Sequence, residues 1–151
     1  MRAHASTLAA MGLAVREKRA RYRAGRERVG PGSLVDVHDN SVPFSSVEWL
    51  ANRLGVETGE LLNVIGIAGR TAIRRKAHGY LRADEADRLL RVARVLEEAS
   101  RVFGTAEKAA TWLRTAHPVL GDVAPYRLLD SDAGAKAVSD ELVRIDFGDF
   151  A

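Results

Sequence analysis

Few residues of this chain could carry covalent chemistry, and their spacing argues against a reaction. His4, His38, His78 and His117 are scattered, with no HxxxH pair to aim two imidazoles at one metal from a helix face. Cysteine is absent, which removes disulfides and thiolate zinc sites and fits a reducing cytoplasm. The glycines read as helix stops and turns, not as a phosphate-cradling loop after a strand. Asp130, Asp132, Asp140 and Glu141 read as caps and exposed faces rather than an acid/base pair. The expectation is no enzyme, no cofactor and no metal. What remains is recognition chemistry at two places. Gly69, Arg70, Thr71, Arg74, Arg75 and Lys76 supply donors of the kind that hold phosphates and read guanine. Phe147, Gly148, Asp149, Phe150 and Ala151 put two large rings beside a carboxylate.

The charge is distributed to match. The net charge of +3 hides a gradient. Residues 1–30 carry Arg2, Arg16, Lys18, Arg19, Arg21, Arg23, Arg26 and Arg28 against Glu17 and Glu27, whereas from Thr105 onward eight carboxylates outnumber five cations. One end suits a polyanion and the other a basic partner. The basic leader, residues 1–43, has two readings, a DNA-backbone arm or a solvated extension broken at Gly30-Pro31-Gly32, and Met11 is an alternative start. Its apolar stretch Leu8 to Val15 is about half of the roughly 20 residues a membrane span needs, and it precedes the basic cluster, the reverse of a signal peptide. We therefore expect no membrane association and a cytoplasmic protein.

The elements that must position these residues are helical. At 151 residues with 46% hydrophobic and 28% charged side chains, the chain is the size of one domain or two small ones sharing a core. Ser45 with Glu48 predicts a capping box, flanked by Phe44 and Trp49 as a hydrophobic staple. Val47, Leu50, Ala51 and Leu54 then form one buried stripe, ended by Gly55. Thr58 is the expected cap of a second helix with Leu61, Leu62, Val64 and Ile65, turned by Gly66. A third short helix runs from Gly69 to His78. The longest, about Asp84 to Phe103, has two apolar stripes: Ala86, Leu89, Ala93, Leu96 and Phe103, and Val92, Val95, Ala99 and Val102. It is either a spine covered on both sides or a dimer seam. Thr105 caps a fifth helix with Trp112 near its inner face, His117-Pro118 breaks it, Pro125 opens a short helix, and Ser131 or Asp132 caps a last one bearing Val138, Leu142 and Ile145.

The spacing of TGELLNVIGIAGRTAIRRKAHGYL resembles the helix-turn-helix of phage-repressor-type regulators, whose second helix enters the major groove. Ala68 stands where a capping Ser is usual, and Leu62 and Ala72 exchange large for small. From about Phe44 onward the order of ELLNVIGIAGRTAIRRK, DEADRLLRVARVLEEASRVFG, AATWLRTAHPVLGDVAPYRLLDSDAGAKAVSDEL and RIDFGDFA resembles the Xre-type antitoxins of RES-Xre toxin-antitoxin pairs, the MbcA/ParS type. Arg82 replaces a more usual capping Ser, and Thr115-Ala116-His117-Pro118 replaces an Asn-Pro turn.

The resemblance implies an all-α fold, with a phage-repressor-like helix-turn-helix domain (44–104) fused through the long helix to a small helical toxin-binding domain (105–151). It implies a type II antitoxin whose partner is a RES-domain toxin that attacks NAD or transfers its ADP-ribose, with the C-terminal region covering the toxin's active site. Operator DNA and a homodimer within a larger complex are the other implied partners. The expected DNA-binding residues are Arg70, Thr71, Arg74, Arg75 and Lys76, with a second reading of Arg70 to Lys76 as a solvated helix face in a domain that has lost DNA binding. The expected toxin-binding residues are Trp112, Phe147, Gly148, Asp149, Phe150 and Ala151, although Trp112 has a second reading as core and Phe147 as the end of the core. A stand-alone DNA-binding regulator is the alternative function.

Overall fold

The computed structural model describes residues 41–148, so residues 1–40 of the basic leader and Asp149, Phe150 and Ala151 lie outside the described residues. Six α-helices follow in order: α1 Ser45–Leu54, α2 Thr58–Val64, α3 Gly69–His78, α4 Ala83–Phe103, α5 Ala106–Arg114 and α6 Asp132–Asp146. Two 3-10 turns, Pro118–Leu120 and Pro125–Asp130, join α5 to α6. Among the described residues the only β pairing is two isolated bridges, Pro43 with Tyr80 and His117 with Val123. The all-α expectation is met.

The predicted stripe of α1 is fully buried at Val47, Leu50, Ala51 and Leu54. Its predicted capping box does not form. Phe44 is already helical at the N-cap (φ −59°, ψ −32°). Pro43 O accepts from Ser46 N at 3.0 Å and Phe44 O from Val47 N at 3.0 Å. The chain therefore turns into the helix early, and the Glu48 carboxylate reaches Lys76 Nζ at 2.8 Å instead. In α2 the cap moves back from Thr58 to Glu57, whose N–H donates to Glu60 Oε2 at 3.3 Å. Thr105 and Ser131 do cap as expected, with Thr105 Oγ1 accepting from Lys108 N at 3.2 Å and Ser131 Oγ from Gly134 N at 3.1 Å.

Helix α4 is the spine. Ala86, Leu89, Ala93 and Leu96 of one stripe and Val92, Val95 and Ala99 of the other are buried, while Val102 and Phe103 pack half-buried at its end. It lies chiefly against α5 and α6, with α1 touching its other side. One continuous apolar cluster runs from Val42 in the first half to Leu142 in the last helix. Among the described residues, no helix is long and apolar enough to cross a membrane.

Candidate DNA-reading and partner-binding surfaces

Helices α2 and α3 are set across a turn of Gly66, Ile67 and Ala68. Gly66 takes φ +73°, a left-handed conformation that costs a side chain strain, and buried Ile67 pins the turn to the core. Ala68 has no side-chain oxygen to cap α3, so the helix begins with only Ala68 O accepting from Ala72 N at 2.8 Å. Leu62 is half-buried against the core and Ala72 is buried, in line with the large-for-small exchange.

The five expected DNA-binding residues divide by helix face. Arg70 and Arg74 are exposed and, among the described residues, make no ion pair; Thr71 is half-buried beside them. Lys76 is exposed and pairs with Glu48. Arg75 turns inward, its side chain 11% exposed, and its Nε donates to Glu85 Oε2 at 2.7 Å. The same Glu85 oxygen accepts from Arg82 N at 2.9 Å, which closes the first turn of α4. Burial alone would push the Glu85 carboxyl up, yet the hydrogen bonds from Arg75 and Arg82 N and the charge of Arg75 outweigh it and hold it below 4.5. Arg75 is thus a clamp between α3 and α4 and does not project towards a groove. Helical spacing from Ala72 to Arg75 is what carries it inside, a consequence that reading the cations as one run missed.

The outward face of α3 is Arg70, Ile73, Arg74 and Ala77, at i, i+3, i+4 and i+7. Ile73 is 74% exposed, and the sequence reading passed over it.

At the far end, Trp112 sits half-buried in an aromatic corner. Its ring stacks on His117 at 4.9 Å and tilts against Phe103 at 5.5 Å. His117 Nε2 donates to Trp112 O at 2.9 Å, so this histidine closes the C-terminus of α5 rather than only breaking it. Trp112 therefore packs mainly within the chain. Phe147 does not finish the core: it is 82% exposed, one turn beyond Val143, which is 42% exposed. Ile145, expected with Val138 and Leu142 on the buried face, is only half-buried. The last helix thus presents an apolar outer edge that runs into Gly148.

The two surfaces are joined by polar contacts. Tyr126, buried, donates from its hydroxyl to Glu60 Oε1 at 3.3 Å, Arg127 Nη2 donates to the same oxygen at 3.4 Å, and Arg114 Nη1 donates to Gly55 O at 3.1 Å. An open cleft of about 440 Å³ lies over this junction.

The described residues thus form an all-α protein with a helix-turn-helix, whose α3 exposes Arg70 and Arg74, and an appended helical region that ends in an exposed apolar edge. Residues 33–94 match the antitoxin Xre-like helix-turn-helix domain, and residues 98–148 match the antitoxin Xre/MbcA/ParS C-terminal toxin-binding domain. An Antitoxin Xre of Yersinia enterocolitica (serotype O:8 / biotype 1B) is 35% identical over 122 residues, 80% of this chain and 76% of that protein. An Antitoxin Xre of Photorhabdus laumondii subsp. laumondii is 33% identical over 112 residues, 73% of this chain and 76% of its own length. A protein of Sphingobium sp. named Prs ADP-ribosylating antitoxin is 27% identical over 134 residues, 82% and 84% of the two chains. The chain belongs to the Xre/MbcA/ParS family of antitoxins.

Proposed function

We propose that this antitoxin neutralises a RES-domain toxin that consumes NAD or transfers its ADP-ribose, by laying the outer edge of α6 and the residues after it over the toxin's active site. The observation that carries this is Phe147, a large ring left 82% exposed at the end of a helix whose Val138 and Leu142 are fully buried. A rigid aromatic held on a packed helix loses little entropy on binding and fills an apolar pocket well. Gly148, Asp149, Phe150 and Ala151 extend the contact, with Asp149 meeting cationic groups that otherwise hold the substrate's phosphates. Trp112 supports the surface from within, through its stack with Phe103 and His117.

The second activity is repression of its own operon. Arg70, Arg74 and Lys76 hold phosphates or read guanine, Thr71 lies beside them, and Arg75 fixes the angle of α3 through Glu85. Two copies of the chain would place two α3 helices on successive half-sites. The test is co-expression with the product of the adjacent gene, with the chain either whole or ending at Asp146. Complex formation, growth and cellular NAD are followed together. The expected result is that the whole chain co-purifies with the toxin and preserves NAD while the shortened one fails. A shortened chain that protects fully would overturn the tail mechanism, and NAD unaffected by the toxin alone would overturn the RES assignment.

A further inference from the structure

Ile73 stands out on α3. Only Ala72 and Arg75 of this helix are buried, and the exposed side carries Ile73 with Arg70 one turn before it, Ala77 one turn on and Arg74 at the next position in sequence. At 74% exposure the isoleucine gives the core almost nothing. A β-branched side chain also serves an exposed helix position less well than Ala, Lys or Glu would. Neither packing nor helix propensity accounts for it. Arg70 and Arg74, exposed on the same side of the helix, oppose an apolar protein partner and favour a polyanion. Within the major groove of a DNA duplex, the C5-methyl of thymine is the apolar group that a base presents.

We propose that Ile73 is a specificity-determining residue that packs on thymine C5-methyl groups in the major groove, with Arg70 and Arg74 making the polar contacts beside it. This rests on the DNA-binding reading above and goes beyond it by naming what the face reads. The apolar contact selects thymine over cytosine, while the arginines supply affinity and register. Buried Arg75 contributes by holding α3 on α4, which keeps the Arg70, Ile73 and Arg74 face outward.

The experiment uses the full chain and a random-sequence duplex library. The best-bound duplex is resynthesised with each thymine in turn replaced by uracil, which removes only the methyl group. Loss of one methyl contact of about 0.8 kcal/mol corresponds to roughly 4-fold weaker binding. The expected result is such a loss at one or two positions per half-site for the wild type. Ile73→Ala should bind thymine and uracil duplexes alike while keeping the wild-type thermal midpoint. If no uracil position weakens the wild type, or Ile73→Ala retains the same sensitivity, the proposal is overturned while DNA binding stands. If the library yields no bound duplex at all, the DNA reading itself fails and this inference with it. If Ile73→Ala changes only the oligomeric mass, the face is a contact between copies and the proposal is overturned.

Discussion

Gly134→Ala tests how α6, the helix proposed to cover the toxin, is seated. Gly134 lies in the first turn of α6, and a Cβ there would run into Leu128 O and come within 2.8 Å of Leu128 C. Both atoms belong to the backbone of the 3-10 turn Pro125–Asp130, so no flexible side chain can yield. Glycine inside a helix normally costs about 0.5–1 kcal/mol relative to alanine, and were the site open the substitution would stabilise the protein by that amount. Overpacking a tight contact costs about 1–3 kcal/mol, and a rigid carbonyl points to the upper part of that range. At about 2–4 °C per kcal/mol for a chain of this size, the thermal midpoint should fall by roughly 4–12 °C. Gly69→Ala is the paired control, because nothing lies within 4 Å of its Cβ. It should leave stability unchanged or raise it by up to about 1 kcal/mol. The assay is thermal unfolding followed by circular dichroism, with toxin affinity measured on the same preparations. Helix α6 spans 15 residues, about 22 Å, so displacement at Gly134 is carried along it to Phe147, and toxin affinity should fall with stability. A Gly134→Ala variant as stable as wild type would refute the close approach and the seating of α6 built on it.

Other outcomes follow from the same geometry. Phe147→Asp should abolish toxin capture while the thermal midpoint stays within about 1 °C, since an exposed side chain adds little to folding; retained capture would move the anchor elsewhere. Arg70→Ala and Arg74→Ala should each weaken binding to the library-selected duplex uniformly across sequences if they hold phosphates, and reduce the salt slope by about 1. An unchanged slope in both would remove them from the phosphate contacts. Glu85→Gln should loosen the α3 to α4 clamp in a pH-dependent way. The Glu85 carboxyl is held below 4.5 in the fold, so its contribution is complete above 4.5 and is lost as pH falls through the lower folded value. The stability gap between wild type and Glu85→Gln should therefore be constant near neutrality and narrow in acid, and a gap that widens in acid would contradict the assignment.

Much of this was legible in the sequence because helical periodicity acts through burial. The stripe Val47, Leu50, Ala51 and Leu54 and the double stripe of α4 are apolar at every position the core needs, and the structure buries them except Val102 and Phe103, which are half-buried at the end of α4. Glycine and proline marked the turns between α1 and α2, α4 and α5, and α5 and the 3-10 turns for equally local reasons. What was missed depended on partners distant in sequence. Glu48 has the spacing of a cap but bonds Lys76, and Glu85 completes a cap and also fixes Arg75. Arg75 was read with its neighbours as one cationic run, yet its phase on α3 turns it inward. Phe147 shares an apolar type with the core but falls on the opposite face from Val138 and Leu142, so its exposure was decided by one helical step.

We propose that the division after Gly104 separates two binding surfaces rather than two cores. The two family matches end and begin at residues 94 and 98, both inside the unbroken helix α4. Helix α5 packs on α1, and Arg114 and Arg127 hold Gly55 O and Glu60 at the two ends of the α1 to α2 turn. The first turn of α4 in turn holds α3 through Arg75 and Glu85. Helix α3 is thus braced by the region that matches the family's toxin-binding domain. A chain ending at Gly104 keeps α1 to α4 but loses α5 and α6, the elements against which α4 chiefly lies. It would expose the Val92, Val95 and Ala99 stripe or the opposite one, and the lost burial far exceeds what a four-helix remnant of this size has in reserve. The expected result is a non-cooperative thermal transition by circular dichroism and no binding to the library-selected duplex. A sharp transition with wild-type DNA affinity would show instead that the helix-turn-helix folds alone, and that bracing by the toxin-binding domain plays no part in reading DNA.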